Sequence, residues 1–495
     1  MNYRESLAKY RKSEKYLSAY AGNKPVKIAL GFPNTYSVGM GSLGFQIVYD
    51  IINKNSLVSA ERFFLPDKES SEILTVESEK HIGSFDAVAF SVSFEMDYIN
   101  ILKILKTANI PILRKEREET CPLVFAGGAI TLINPFALSE FMDFFILGDG
   151  EEILDKVADI ISQPISKDDK LKLLSESPYI LVPEYEKENY EKHIVKDLSP
   201  YLCHSVITTP YGEFGDTVLF EISRGCGRGC NFCAAGHIQK PFRLRKPVLG
   251  VDLPEYLSYG IVGAAVFDNP YSKDLCAEII EKEAKFSLSS IRLETINEEK
   301  LSLMKKGNIK TVTVAPEAGT ERLREYIGKK CSDETIYKAV DLSYNMGIRK
   351  FKLYFMIGLP GETDEDIQGI INLVSYLADK YKNAKFTPSC GSFVPKPHTR
   401  YEDVPMDSEK SLKNKLEIIK KSLNKLKNVD ISFESPRMAK IQAILSRADR
   451  ELAKDYLICA LEKGFSKAGR EYKERIDSVL YGYENNDFVW NKIKI

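Results

Sequence analysis

Three cysteines, Cys226, Cys230 and Cys233, form the most specific chemical pattern of the chain, a C-x3-C-x2-C spacing in the segment CGRGCNFC. Thiolates spaced this closely can wrap one metal centre, and the glycines among them allow the positive φ angles that a wrap needs. Zinc patterns add two further ligands in register, whereas His237 is the only imidazole nearby. The spacing therefore predicts a three-ligand centre with an open position, which favours catalysis over a structural zinc knuckle or a disulfide pair.

An apolar run at 217–222 precedes these cysteines, and Phe232 stands directly before the last of them. A C-x3-C-x-aromatic-C pattern after a strand resembles the signature of the radical S-adenosylmethionine (SAM) superfamily. The resemblance implies a [4Fe-4S] cluster on the cysteines, whose open iron binds the amino and carboxylate groups of SAM, with Phe232 beside that cofactor. It also implies reductive cleavage of SAM to a deoxyadenosyl radical and an external electron donor such as a flavodoxin or ferredoxin.

The chain has 495 residues, 44% of them hydrophobic and 28% charged, which predicts two or three globular domains. A formal net charge of −1 disfavours a surface tuned as a whole to nucleic acid or anionic membrane. Nine cysteines without a disulfide pattern indicate a reducing, cytoplasmic environment. The N-terminus lacks an apolar signal region, and prolines and glycines interrupt the uncharged stretch 121–139, so no membrane span is expected.

Alternating strand-like and helix-like segments organise the chain. We expect a leader at 1–24, a doubly wound Rossmann-like α/β domain at 25–165 and a linker with short strands at 166–212. A radical SAM partial (β/α)6 TIM barrel follows at 213–397, and a helical region at 398–495. The strands expected in the first domain are 26–30, 62–65, 85–92, 123–128 and 144–148. Those expected in the barrel are 217–222, 262–267, 290–293, 310–314, 350–357, and 384–387 with 391–394.

The loops of the first domain are candidates for a second cofactor, because ligands of such sheets bind beyond the carboxyl ends of the strands. The domain order and these loops resemble the cobalamin-binding half of cobalamin-dependent radical SAM enzymes. The resemblance implies cobalamin contacts from Asn34, Thr35, Tyr36, Val38, Gly39, Ser91, Ser93, Gly127, Gly128, Thr131, Gly148 and Gly150.

One departure concerns the cobalt ligand. Modules that bind cobalt through histidine carry D-x-H-x-x-G after the first strand, where this chain has Asn34-x-Tyr36-x-x-Gly39. A phenol with a reference pKa of about 10 is a poor ligand unless ionised. Cobalamin is therefore expected to bind without a protein histidine, its lower cobalt face open or covered by Tyr36. The alternative is a domain that has lost cobalamin and supports the barrel or binds substrate.

The barrel loops resemble the SAM-binding segments of the superfamily. Glu317, after the fourth strand, would accept hydrogen bonds from the ribose, and Arg324 would pair with the carboxylate if it turns inward. Otherwise Arg324 belongs to a solvated helix face. Ile357 and Gly358 stand where the family contacts adenine.

After the second strand the family often has Gly-Gly-Glu for the SAM ammonium. Here Asp268 and Asn269 occupy that place. They would accept from the ammonium or simply cap a turn.

These features favour a radical SAM enzyme in which cobalamin carries a methyl group to an unactivated carbon. The first alternative is a radical SAM enzyme without cobalamin, whose Rossmann-like domain binds substrate. Methylthiotransfer is disfavoured, because no second cysteine triplet precedes Cys226. The other alternative is a non-enzymatic RNA- or ribosome-associated iron–sulfur protein, indicated only by a lysine-rich helical segment at 410–425.

Overall fold

The chain folds into two units in the computed structural model, which describes residues 2–20, 24–246, 258–482 and 488–495. Unit 1 contains Met1–Leu219, Ile444–Val479 and Tyr483–Ile495, and unit 2 contains Phe220–Ala443 and Leu480–Gly482. The predicted linker 166–212 thus belongs to unit 1, and the predicted region 398–495 is divided between the units. Parts of the predicted ranges lie outside the described residues, at 1, 21–23, 247–257 and 483–487.

Strands and helices alternate through most of the chain. The strands are β1 Lys15–Tyr16, β2 Val26–Phe32, β3 Val58–Phe64, β4 Ala87–Ser91, β5 Leu123–Gly127, β6 Phe144–Ile146, β7 Ile180–Leu181, β8 Tyr190–Glu191, β9 Ile207–Thr208, β10 Thr217–Glu221, β11 Ser223–Arg224, β12 Arg243–Leu244, β13 Ser258–Val262, β14 Phe286–Leu288, β15 Thr311–Glu317, β16 Lys350–Ile357, β17 Lys385–Ser392, β18 Ser432–Phe433 and β19 Ile493–Lys494. The helices are α1 Tyr3–Ser13, α2 Tyr36–Met40, α3 Leu43–Lys54, α4 Tyr98–Thr107, α5 Ile153–Ile161, α6 Lys167–Ser175, α7 Ala235–Ile238, α8 Ser272–Glu281, α9 Glu298–Lys306, α10 Glu321–Tyr326, α11 Asp333–Asn345, α12 Asp364–Lys380, α13 Glu409–Leu423, α14 Pro436–Arg447, α15 Arg450–Lys463, α16 Phe465–Glu471 and α17 Lys473–Tyr481.

Unit 1 is built around a six-stranded sheet with the order β3-β2-β4-β5-β6-β7. Strands β2 to β6 are parallel, and β7 is antiparallel to β6. Residues 123–126 of β5 are all buried and apolar, as expected for a parallel strand covered on both faces. The predicted α/β class is confirmed, and the loops after β2, β4, β5 and β6 share the carboxyl edge of this sheet.

The leader, which the sequence left unassigned, belongs to this unit. Helix α1 begins with a capping box between Asn2 and Glu5. After the helix, the Glu14 carboxylate accepts two hydrogen bonds of 2.8 Å from Arg62, and both side chains are completely buried. Arg62 lies within β3, which begins at Val58 rather than at the predicted residue 62.

Unit 2 contains the strands of the predicted barrel in two sheets, β10-β13-β14 and β15-β16-β17-β18, beside the short pair β11-β12. Strand β13 is parallel to β14, and β15, β16 and β17 are parallel to one another. Helices α8, α9, α11 and α12 alternate with these strands along the chain, as the barrel pattern predicts. Within the described residues, no helix combines the length and the apolar character that a membrane span requires.

Two predicted barrel strands were misplaced. The second strand occupies Ser258–Val262 instead of 262–267, and the third occupies Phe286–Leu288 instead of 290–293. Val266 and Phe267 are buried although they lie in a 3-10 turn after the strand. An apolar run alone therefore did not distinguish the strand from the buried loop that follows it.

Candidate functional site

The three-cysteine loop follows β10 and β11 in unit 2. All nine cysteines of the chain are free thiols, and Cys226, Cys230 and Cys233 are half-buried. Gly225 precedes the loop at a φ of 79°, and a Cβ there would lie 2.2 Å from the Gln239 carbonyl oxygen. Only glycine fits this position, because both the backbone conformation and the close approach exclude a side chain.

Asn231 fixes the middle of the loop. Its backbone amide donates to the Ile327 carbonyl at 3.0 Å, and its Nδ2 donates to the Tyr326 carbonyl at 3.0 Å. Its own carbonyl accepts from the Arg400 amide at 3.1 Å. Sequence reasoning missed this residue, because its partners lie about a hundred residues or more along the chain and no local signal indicates them.

Phe232 anchors the other end of the loop in an apolar cluster. The ring packs against the buried cluster formed by Ala318, Leu323, Ile327, Leu359, Phe393 and Tyr401. Ala318 directly follows β15, and Leu359 follows β16 two residues after its end. The cysteine loop is thus held against the carboxyl ends of the two strands that carry the predicted SAM contacts.

Glu317 ends β15 with an unusual backbone conformation. Its φ is 71°, and the pairing with β16 shifts register between Val314 and Glu317. A positive φ at a residue with a side chain is strained and is often found at functional sites. Burial raises the pKa of the Glu317 carboxyl, and the Lys329 ammonium, 3.1 Å away, opposes part of that rise.

Lys329 is a site residue that sequence reasoning missed. Burial lowers its pKa, but the attraction of Glu317, with a smaller one from Cys230, outweighs burial and raises the pKa of Lys329 overall. The preceding Gly328, at a φ of 75°, lies against the backbone and side chain of Asn231. This turn carries the ammonium to the cysteine loop, where it lowers the pKa of Cys230 against the larger raising effect of burial.

Arg324 does not take the predicted role. The residue is completely buried, and its Nε and Nη1 donate to the carbonyls of Cys331 at 2.7 Å and Ala318 at 3.0 Å. Its Nη2 pairs with Asp333. Arg324 therefore turns inward to tie its own loops together, and both the SAM-carboxylate role and the solvated-face alternative are wrong.

Asn269 is likewise structural. Its Nδ2 donates to the carbonyls of Ile222 and Arg245, each at 2.7 Å, and its Oδ1 accepts from the Tyr271 amide. With the side chain buried and these bonds made, the predicted acceptance of the SAM ammonium is wrong. Asp268 stays a candidate: its carboxylate lies 3.0 Å from Arg292, and burial raises its pKa.

The predicted adenine segment uses part of its backbone internally. The Ile357 carbonyl accepts from the Phe393 amide at 2.8 Å, and the Gly358 amide donates to both Glu362 carboxylate oxygens at 3.0 Å. Lys415 neutralises Glu362 at 2.6 Å. The Ile357 carbonyl and the Gly358 amide are therefore already hydrogen-bonded within the protein. The prediction that Ile357 and Gly358 contact adenine now depends on the other atoms of these two residues.

Tyr36 in unit 1 lies in the core. Its ring stacks on Tyr10 with centroids 3.9 Å apart, and its hydroxyl donates to Glu14 at 2.7 Å. Burial raises the pKa of Tyr36 further above that of a free phenol. Of the two alternatives for the lower cobalt face, open or covered by Tyr36, the second is therefore wrong.

Several other predicted cobalamin contacts serve the fold. Thr131 is buried and donates to the Gly128 and Ile146 carbonyls. Gly39 is buried, and a Cβ there would lie 2.4 Å from the Phe64 ring. These two assignments are wrong, because neither residue reaches the surface of the carboxyl edge. Gly148, at a φ of 102°, is a glycine because His193 packs against it.

The remaining candidates leave an open surface along the carboxyl edge. Val38, Ser93 and Gly128 are exposed, and Thr35, Ser91, Gly127 and Gly150 are half-buried. Asn34 donates to Asp97 at 2.8 Å, and burial raises the pKa of that carboxyl to about 6. Gly127 has no steric reason to be glycine, since the nearest atom to an added Cβ is Ile146 Cβ at 4.0 Å.

The donor set suits an iron–sulfur cluster better than a single ion. In the part of the chain that the structure describes, no three Cys, His, Asp or Glu side chains gather closely enough to hold one metal ion. A [4Fe-4S] cluster does not need that convergence, because each cysteine binds a different iron. Three free, half-buried thiols on one anchored loop, with the Lys329 ammonium nearby, fit such a cluster.

Known protein families match both halves of the chain. Residues 44–183 match the family model described as radical SAM proteins, N-terminal, and residues 220–374 match the model of the radical SAM superfamily. The uncharacterized protein MJ0966 of Methanocaldococcus jannaschii is 32% identical over 481 residues, which cover 94% of this chain and 98% of that protein.

Two solved structures share the fold. The radical SAM methyltransferase TsrM from Kitasatospora setae, with cobalamin and a [4Fe-4S] cluster bound, superposes with a TM-score of 0.56 at 17% identity, over 78% of this chain and 80% of that one. The cobalamin-dependent SAM radical enzyme OxsB, with aqua-cobalamin and SAM bound, superposes with a TM-score of 0.51 at 14% identity, over 85% of this chain and 61% of that one. Together with the two family matches, the full-length relative shows that the chain belongs to the radical SAM superfamily of enzymes.

Proposed function

We propose that this enzyme cleaves SAM reductively on a [4Fe-4S] cluster held by Cys226, Cys230 and Cys233, and uses cobalamin to transfer a methyl group to an unactivated carbon. The observation that carries the proposal is the anchored loop of free thiols beside the Glu317–Lys329 pair. When bound, the cluster supplies the electron that breaks a carbon–sulfur bond of SAM, and cobalamin carries the methyl group. An external donor such as a flavodoxin or ferredoxin supplies that electron.

The protein's own residues would bind the cluster and SAM and orient them. Asn231 and Phe232 hold the cysteine loop against the strand ends, so the three thiols that would bind the cluster are kept in place. The Lys329 ammonium replaces Arg324 as the partner proposed for the SAM carboxylate, since the preceding Gly328 packs against Asn231 of the cysteine loop. Glu317, adjacent to that ammonium, accepts from the ribose hydroxyls.

Support for cobalamin comes from unit 1. Its parallel sheet ends in an open edge at Val38, Ser93 and Gly127, where ligands of such folds bind. TsrM and OxsB, which share the fold, are described with cobalamin bound. With Tyr36 in the core, cobalamin would bind here without a tyrosine or histidine on its lower face.

The direct test is anaerobic reconstitution followed by reduction with dithionite in the presence of SAM. The proposal expects the absorbance of an iron–sulfur cluster and release of 5′-deoxyadenosine. Cluster formation without SAM cleavage under strongly reducing conditions would contradict the catalytic half of the proposal.

Gly127→Leu is expected to weaken cobalamin binding by about fivefold to a hundredfold, because forcing extra atoms into a packed contact typically costs about 1–3 kcal/mol. The fold should tolerate the change, since an added Cβ meets nothing closer than 4.0 Å. Titration of the full-length protein with aqua-cobalamin, followed by absorbance, measures the affinity.

Gly44→Leu is the matched control, because Gly44 lies exposed in α3 with no atom within 4 Å of an added Cβ. It should bind cobalamin like the unmodified protein. If the unmodified protein itself binds none, the methyl-carrier function fails and the alternative without cobalamin replaces it.

A further inference from the structure

The two faces of β16 differ in character. Phe351, Leu353, Phe355 and Ile357 are buried on one face. Lys352, Tyr354 and Met356 alternate with them on the other, and Tyr354 is 38% exposed. The second face is the barrel face, since it is opposite the buried side of a strand that continues into the candidate SAM site.

Neighbouring strands extend this barrel face. Thr313 on β15 and Thr387 on β17 flank Lys352, and Ser389 on β17 lies beside Tyr354. Closed eight-stranded barrels fill their interior mainly with Val, Ile and Leu. Hydroxyls, a phenol and an ammonium take those places here, so the barrel face is not packed as an apolar core.

Lys352 has an aromatic partner but no acidic one. Its Nζ lies 4.7 Å from the centroid of the Tyr354 ring, and no carboxylate of the described residues pairs with it. Lys350, on the same face, also lacks an ion pair among the described residues, and Lys385 pairs with the exposed Asp430. The amino half of the barrel face therefore carries an excess of positive charge.

Negative charge on the barrel face lies toward the carboxyl ends of the strands. The Glu434 carboxylate lies over Gly391, which pairs with Met356. Glu317 is neutralised by Lys329. The two ends of the barrel face are thus complementary to a ligand whose anionic group points toward Lys352, away from the cysteine loop.

We propose that Lys352, positioned by the Tyr354 ring, binds an oxyanion group, a carboxylate or a phosphate, of the enzyme's substrate. The inference rests on the proposed function, because it places the substrate inside the barrel below SAM. The ammonium donates charge-assisted hydrogen bonds to the anion, the Tyr354 ring holds the ammonium in place, and Thr313 and Thr387 supply hydroxyl donors beside it. The simpler alternative is a lysine that covers the ring and extends its charge into water.

The test measures acetylation of Lys352 on the reconstituted full-length protein, in chloride, inorganic phosphate or succinate at matched pH and ionic strength. Peptide mass spectrometry reads Lys352 and, as a control, the exposed Lys310. A bound oxyanion should slow acetylation of Lys352 several-fold and leave Lys310 unchanged. Protection by phosphate alone identifies a phosphate group, and protection by succinate alone identifies a carboxylate. An unchanged rate in both anions overturns the inference.

Two variants test the role of the ring. Tyr354→Phe should keep the protection of Lys352, whereas Tyr354→Ala should lose most of it, because the lysine is no longer held. Equal protection in both variants contradicts the pairing. The acetylation does not depend on SAM turnover, so an unprotected Lys352 with normal deoxyadenosine release overturns only this inference. A protein that protects Lys352 but never cleaves SAM overturns the proposed function instead.

Discussion

Cys230→Ala protein should leave anaerobic reconstitution with little iron–sulfur absorbance and should release no 5′-deoxyadenosine. The alanine removes one of three thiolate ligands, and the half-buried loop offers no replacement from its neighbours Gly229 and Asn231. Loss of an outer-shell partner alone typically lowers metal affinity about 10–100-fold, so we expect a loss beyond about a hundredfold here. Iron and sulfide content, absorbance and deoxyadenosine yield measure the result.

The expected defect should be local. The hydrogen bonds of Asn231 to Ile327 and Tyr326 do not involve the Cys230 side chain, so apo protein should keep its unfolding free energy within about 1 kcal/mol. Cys121→Ala is the matched control, because Cys121 is a half-buried free thiol far along the chain in unit 1. A Cys230→Ala protein that retains both cluster and SAM cleavage would show that the ligand set is different.

The sequence predicted the cysteine loop and the buried parallel strands, because each is determined by residues that are close together along the chain. The cysteine spacing and the aromatic Phe232 identify the loop because all three cysteines lie within eight residues. The parallel strands of unit 1 were recognisable because a strand buried on both faces is a continuous apolar run. Strand β3 was predicted too short, at 62–65 instead of Val58–Phe64, because the polar Ser59 and Glu61 interrupt the apolar pattern at its start.

Side-chain direction was the feature that the sequence could not determine. Arg324 and Lys329 both stand near Glu317, and their order along the chain does not show which one faces the cysteine loop. Folding buries Arg324 on the carbonyls of Ala318 and Cys331, whereas the turn at Gly328 carries Lys329 to Cys230. The choice depends on the contacts of a packed turn, which no spacing reveals.

Tyr36 illustrates the same limit in unit 1. Its position in an N-x-Y-x-x-G segment placed it where a ligand residue would stand, and the segment does lie after β2. Its ring direction is decided by Tyr10 and Glu14 of the leader, a part of the chain that carried no recognisable pattern. A motif position therefore predicted the loop correctly and its side-chain role incorrectly.

Lys329→Met is expected to weaken SAM binding about tenfold to a hundredfold, because a hydrogen bond to a charged group contributes about 1.5–3 kcal/mol. The ammonium lies 3.1 Å from Glu317 Oε1, and the preceding Gly328 packs against Asn231 of the cysteine loop, so Lys329 would be available to the carboxylate of a SAM bound at that loop. SAM titration of reconstituted protein gives the affinity, and deoxyadenosine release gives the rate.

The neighbouring Lys330→Met is the matched control. Lys330 is exposed and forms no ion pair among the described residues, yet its substitution removes the same charge one residue away. We expect SAM affinity to stay near that of the unmodified protein. Equal affinity in the Lys329 and Lys330 variants would assign carboxylate recognition to another residue.

A purely structural role of Lys329 can be separated from SAM binding through its partner. Removing the ammonium alone leaves the largely buried Glu317 carboxylate unpaired, which should cost about 1–3 kcal/mol of stability and raise the pKa of Glu317 further. Adding Glu317→Gln removes that charge while keeping an oxygen acceptor for the ribose, so the double variant should regain stability. If Lys329 only supports the fold, SAM affinity returns with stability. If it binds the carboxylate, the double variant is stable and still binds SAM weakly.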